Sequence, residues 1–224
     1  MTVALIGMDL LLELQWQHHN GGDDMPLGAN KAVLFGMGGV STGDVVLIET
    51  YTAAGEANKA FSNLNNTDYK SIIFEFIDLH GSSNDTDFTF QVRDADDDYG
   101  TIEVTTCAFR AYNRQDGTDS DLHYQAGFDA LAQTGQIPLN GDAHFDTQYA
   151  LNGYMTIYNP ASTTYATNMV SRLSLTLQSI QYPAMDFLVG GYANISKALT
   201  SIKFAFDEPD GNMDTGIIRQ WGVK

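Results

Sequence analysis

The chain has 224 residues, of which 43% are hydrophobic and 11% aromatic, and 11 basic residues stand against 28 acidic ones for a formal charge of -17. A chain of this length buries a sizeable core, and a disordered chain of such charge would be poorer in apolar and aromatic residues, so the composition excludes a natively unfolded protein. The charge excludes a phosphate-neutralising surface, which needs clustered Lys and Arg; neither nucleic acid nor anionic membrane is an expected partner.

Residues 1–43 differ in pattern from residues 44–224. Leu10, Leu12, Leu14 and Trp16 alternate with Leu11, Glu13, Gln15 and Gln17, the pattern of a strand with one buried face, although a short helix through Met1–Glu13 is the alternative. His18, His19 and Asn20 then lead into Gly21, Gly22, Pro26, Gly28 and the run Gly36-Met37-Gly38-Gly39, all breakers or flexible points. The segment reads as an N-terminal docking arm. Its leucine and tryptophan face is unstable in water and must pack on the main domain, a sister subunit or another protein. Leu10, Leu12, Leu14 and Trp16 are the candidate assembly-interface residues, since buried aliphatic and aromatic anchors dominate interface energetics. No Lys or Arg precedes Lys31, and Asp9 and Glu13 interrupt the apolar residues, so neither a secretory signal nor a membrane span is expected.

From Asp44 onward short strands alternate with turns. The expected strands are Val45–Thr50, Asn58–Ser62, Tyr69–Leu79, Phe88–Arg93, Ile102–Tyr112, Leu122–Leu131, Tyr149–Tyr158, Arg172–Ile180, Phe187–Val189, Thr200–Phe206 and Gly216–Val223. Ile72, Phe74 and Phe76 share one face, as do Phe88, Phe90 and Val92, and Leu173, Leu175 and Leu177. In the last strand Ile217, Arg219, Trp221 and Val223 fall together. Asp116-Gly117, Asn140-Gly141, Asn152-Gly153 and Asp210-Gly211 are pairs that tight hairpins prefer, because glycine accepts positive φ. No helical period is long enough to supply the crossovers a parallel sheet requires. The expected fold is therefore all-β, an antiparallel β-sandwich of jelly-roll type, with one domain over residues 44–224 and the arm before it.

Catalytic signatures are absent: the chain has no Gly-x-Ser-x-Gly, His-Glu-x-x-His, P-loop or Gly-x-Gly-x-x-Gly. Three acidic turns invite a calcium reading, around Asp94, Asp96, Asp97 and Asp98, around Asp116, Asp119 and Asp121, and around Asp207, Asp210, Asn212 and Asp214. None follows the EF-hand order, and Asp, Asn and Gly are also the residues turns use for local hydrogen bonding, so no metal or other cofactor is expected. Cys107, the single cysteine, lies inside an apolar strand and reads as a packed thiol. Adjacent His18 and His19 would point to opposite faces of a strand, and His80, His123 and His144 are isolated. A glycan-binding surface is a second reading: Tyr149, Tyr154, Tyr158 and Tyr165, with Asn152, Asn159, Asn168 and several Asp residues, would stack sugars and bond their hydroxyls. A polysaccharide-degrading enzyme with two carboxylates is a third, and it needs a separation that a list of Asp and Glu positions does not supply.

The order of segments Asp44-Val-Val-Leu-Ile-Glu-Thr50, Ala60-Phe61, Tyr69-Lys-Ser-Ile-Ile-Phe-Glu-Phe76, Gly153-Tyr-Met-Thr-Ile-Tyr-Asn-Pro160, Ile202-Lys-Phe204 and Gly211-Asn-Met-Asp-Thr-Gly-Ile-Ile-Arg219, followed by Trp221-Gly222, resembles small tailed-bacteriophage virion proteins with a jelly-roll or related β-sandwich domain. The resemblance covers residues 44–224 and rests on strand-and-turn patterns. The family's closing strand more often ends Leu-Tyr-Gly, where this chain has Gln220-Trp221-Gly222. The resemblance implies a non-enzymatic structural protein located in the virion, a capsid decoration protein or a tail or fibre component. Its partners would be other capsid or tail proteins, with homo-oligomers, trimers among them, as the expected assembly. The alternative role is recognition of a host surface glycan.

Overall fold

Period-two alternation of apolar and polar residues becomes a pair of stacked antiparallel sheets in the computed structural model, which describes residues 44–84, 86–141, 143, 145, 148–176, 184–207 and 211–224. The expected arm, with Leu10, Leu12, Leu14 and Trp16, lies outside the described residues. Residues Asp44–Lys224 form one compact unit.

The strands are β1 (Val45–Thr52), β2 (Asn58–Ser62), β3 (Ser71–Gly81), β4 (Phe88–Arg93), β5 (Val104–Asn113), β6 (Ser120–Tyr124), β7 (Ile137–Pro138), β8 (Leu151–Tyr158), β9 (Thr167–Thr176), β10 (Ala184–Ala193), β11 (Ser201–Phe206) and β12 (Met213–Val223). The larger sheet runs β1-β12-β3-β8-β9-β10-β5-β6 and the smaller one β2-β11-β4-β7. β1 pairs with β12, β2 with β11, β3 with β8 and β4 with β7, so the partners are nested from the outside of the chain inward. That nesting, divided between two facing sheets, is the jelly-roll topology. The remaining strands are two insertions. β5 and β6 enter between β4 and β7, β9 and β10 enter between β8 and β11, and both extend the larger sheet beyond β8.

The core between the sheets is aromatic. The Phe204 ring on β11 meets Phe61, Phe74 and Phe76 edge-on and stacks on Phe88, with centroids 5.0–6.1 Å apart. Such arrangements match the edge and face charges of the rings. Alternation aims Ile72, Phe74 and Phe76 of β3 and Phe88, Phe90 and Val92 of β4 inward, as expected, and all six are buried. Gln220 is a polar exception on the inner face; fully buried, it donates from Nε2 to the Ser62 carbonyl at 3.0 Å and so ties β12 to β2 across the sandwich.

The structure corrects the sequence reading in several places. Ile217, Arg219, Trp221 and Val223 do share a face of β12, but register with β3 puts Ile218 opposite Phe76 and Gln220 opposite Phe74, so the core-facing set is Ile218, Gln220 and Gly222. β11 and β12, adjacent in sequence, belong to different sheets. Of the hairpin pairs, Asp116-Gly117 makes the turn between β5 and β6, with Gly117 at φ +69°. Asn152-Gly153 instead lies within β8, Asn140 accepts a buried bond from the Phe88 N–H at 2.8 Å, and Asp210 is outside the described residues. The strand expected over Leu122–Leu131 stops at Tyr124 and passes into a short 3-10 turn, Ala126–Phe128, that seats the Phe128 ring against Phe187. β7 has only two residues, too few to carry an alternation signal.

Candidate functional site on the outer face of the larger sheet

The insertions widen one sheet, and the outer side of that widened half is where exposed apolar residues gather. Cross-strand register lays out two adjacent rows. One runs Tyr154, Arg172, Leu188, Phe109, Tyr124 across β8, β9, β10, β5 and β6; the other runs Asn152, Ser174, Asp186, Ala111, Leu122. Leu122 is 73% exposed, Tyr124 49%, and Phe109 and Leu188 41% each. By alternation the outward residues of these strands include just two charged side chains, Arg172 and Asp186. Those two neutralise each other: Arg172 donates from Nε at 2.9 Å and from Nη2 at 2.7 Å to the Asp186 carboxylate in a fork. The carboxylate in turn raises the Arg172 pKa.

Two shallow depressions share this ion pair. One, of about 500 Å³, is lined by Asn152, Tyr154, Ser174, Arg172 and Asp186. The other, of about 460 Å³, is lined by Phe109, Ala111, Leu122, Tyr124 and Leu188, and also by Arg110 and His123 from the neighbouring register row. They form one trough with a polar half and an aromatic half. The rings are held in place. Phe109 and Tyr124 meet edge-on at 5.3 Å, and the Tyr124 hydroxyl donates to Asp129, whose other oxygen accepts from the Ala108 N–H. Asn152 is oriented through its Oδ1, which accepts from the Asp78 N–H at 2.8 Å. Asp186 is the one carboxylate among the described residues that line the trough.

Of the residues named for a glycan surface, the structure brings Asn152 and Tyr154 into the trough and places Tyr158 and Asn168 on the same outer face. Tyr149, Asn159 and Tyr165 lie outside the strands and line neither depression. Arg172, Asp186, Ser174, Phe109 and Leu188 escaped the sequence reading. Their one local signal is being the complement of the buried set on each strand; their convergence comes from register between strands distant in sequence.

Cys107 corrects another expectation. It is exposed, because Val104, Thr106 and Ala108 take the inward positions of β5 and parity turns the thiol outward, opposite Gly190.

Asp94 and Asp116 hold local turn hydrogen bonds, and the cluster around Gly211 lies partly outside the described residues. Buried Asp94 accepts from the N–H groups of Asp96 (2.8 Å) and Asp97 (2.6 Å), and the Lys197 ammonium sits among the carboxylates at 3.4 Å from Asp94, 3.1 Å from Asp96 and 3.8 Å from Asp97. A protein cation thus occupies that cluster. Asp116 accepts from the Thr118 N–H and hydroxyl, Asp119 faces Tyr112 and Arg114, and Asp121 faces His123 at 3.0 Å, so these carboxylates diverge. Asp207 accepts from the Asp87 N–H, and Asp214 lies 3.8 Å from His80. Among the described residues no three His, Cys, Asp or Glu side chains converge as a metal site. His18, His19 and His144 lie outside the described residues.

Comparison with protein-family models, with curated proteins and with solved structures finds no match to this chain.

Proposed function

We propose that this chain is a non-enzymatic structural protein of a tailed-bacteriophage virion, a capsid decoration protein or a tail or fibre component, that works by presenting a surface. The observation that carries this reading is the outer face of the widened sheet. In a chain of formal charge -17, five strands offer an exposed face whose one charged pair is internally neutralised. Charge everywhere else keeps the protein soluble and apart from its neighbours. A broad face with aromatic rings and few charges is what a recognition surface needs. The jelly-roll topology, common among viral capsid domains and lectins, supports the same role, as does the resemblance of residues 44–224 to small virion proteins.

In this reading residues 1–43 attach the protein to a capsid or tail partner through Leu10, Leu12, Leu14 and Trp16, copies associate as homo-oligomers, and the widened sheet faces outward. The test is deletion of residues 1–20 in the phage. Loss of particle incorporation with an unchanged circular-dichroism spectrum supports the attachment; normal incorporation of the truncated protein rejects it. Absence of the full chain from purified particles rejects the virion reading altogether.

A further inference from the structure

We infer that the trough between Tyr154 and Tyr124 is a binding site for a neutral oligosaccharide. Its polar half holds donors and acceptors side by side. The fork to Asp186 fixes the Arg172 guanidinium plane and leaves its Nη1 donors uncommitted among the described residues, while the carboxylate keeps lone pairs to accept. Asn152, its Oδ1 held by the Asp78 N–H, offers its amide donors, and Ser174 adds a hydroxyl of either sense. These groups sum to zero charge. An anionic ligand would meet the Asp186 carboxylate and a cationic one the Arg172 guanidinium, whereas a sugar hydroxyl both donates and accepts and satisfies the two together. The surrounding charge of -17 weighs further against acidic ligands.

The aromatic half supplies what a sugar ring needs next. A pyranose has a C–H face that packs on aromatic rings and a rim of hydroxyls that seek polar partners. Phe109 and Tyr124, braced against each other and flanked by Leu188, present such a platform directly beside the ion pair. Ligand and trough are therefore amphipathic in the same sense.

This assignment does not depend on where the chain sits in a particle, so the incorporation test and a glycan screen fail separately. The full chain is screened on an array of neutral hexose and N-acetylhexosamine oligomers beside sialylated and uronate-containing glycans, and neutral hits are titrated by NMR. The expected result is binding of neutral glycans with shifts at the Tyr154, Arg172, Phe109 and Leu188 amides. Arg172→Gln and Phe109→Ala, both surface changes whose folding is checked by thermal unfolding, should each weaken binding about tenfold or more. Leu47→Ala, on the far edge strand, should leave it unchanged. No shift with millimolar neutral glycan, binding of acidic glycans alone, or affinity indifferent to both trough substitutions overturns the assignment. So does a concentration-dependent dimer that shields Cys107, exposed on the same face two residues from Phe109, from maleimide, because a second copy would then own the trough.

Discussion

Asp94 has the most closely held of the side chains in the acidic turns, and it makes the turn's behaviour testable. Burial pushes its pKa up, but the Asp97 and Asp96 N–H donors together with the Lys197 ammonium outweigh that and hold the carboxyl below the usual carboxylate range. A carboxylate depressed in the folded state adds stability that is fully present above its unfolded pKa, about 3.9 for Asp, and is lost as pH falls through the folded value. Asp94→Asn keeps an acceptor oxygen and loses the charge. It should cost about 1–2 kcal/mol at neutral pH and flatten the decline of stability below about pH 4, both read from urea unfolding across a pH series. Gly153 gives a second residue-scale prediction. It sits at φ +152°, and a Cβ there would lie 2.2 Å from the Arg172 carbonyl oxygen, a backbone atom that cannot yield. Gly153→Ala should cost about 3 kcal/mol or more in thermal or urea unfolding. The Asn-Gly pair that reads locally as a hairpin is thus a place where two strands approach too closely for any side chain.

At the level of elements, β11 holds the sandwich together because its inward phenylalanines reach both sheets. Phe204 alone touches rings from β2, β3 and β4. Phe204→Ala should cost about 3–5 kcal/mol and lower the urea midpoint without changing the far-UV signature of the remaining folded fraction; Leu122→Lys, on the 73% exposed edge of β6, should stay within about 0.5 kcal/mol of the parent. Strands with strict alternation were legible: β3 and β4 carry their core residues where the pattern puts them. β12 was half legible. Both of its faces carry apolar side chains, Ile217, Trp221 and Val223 on one and Ile218 on the other, so alternation identifies the strand and leaves its orientation to the pairing with β3. Cys107 failed for a related reason, since an apolar strand of small and aromatic residues does not declare its inward parity.

For the whole molecule, excess carboxylate charge works against compactness. Raising ionic strength from about 10 mM to 0.5 M screens charges beyond a Debye length of about 10 Å or less. It should raise the unfolding midpoint by about 2–4 °C, the equivalent of about 1 kcal/mol in a chain of this size; a midpoint that falls or stays level in differential scanning calorimetry contradicts the repulsion account. The amino-acid sequence by itself determined the class of fold, because period-two burial and the lack of long helical periods are local properties of strands. It also determined the acidity and the lack of clustered base, which are sums over composition. Only the tertiary structure decided that the insertions β5–β6 and β9–β10 join one sheet. That junction carries Phe109 and Tyr124 to the side of Arg172 and Asp186, and it sets a trough with a single lining carboxylate, itself paired to Arg172, among the described residues of an acidic protein. The reason is physical: hydrogen-bond register between strands far apart along the chain is fixed by the packing of the whole sandwich, and no short window of residues encodes it.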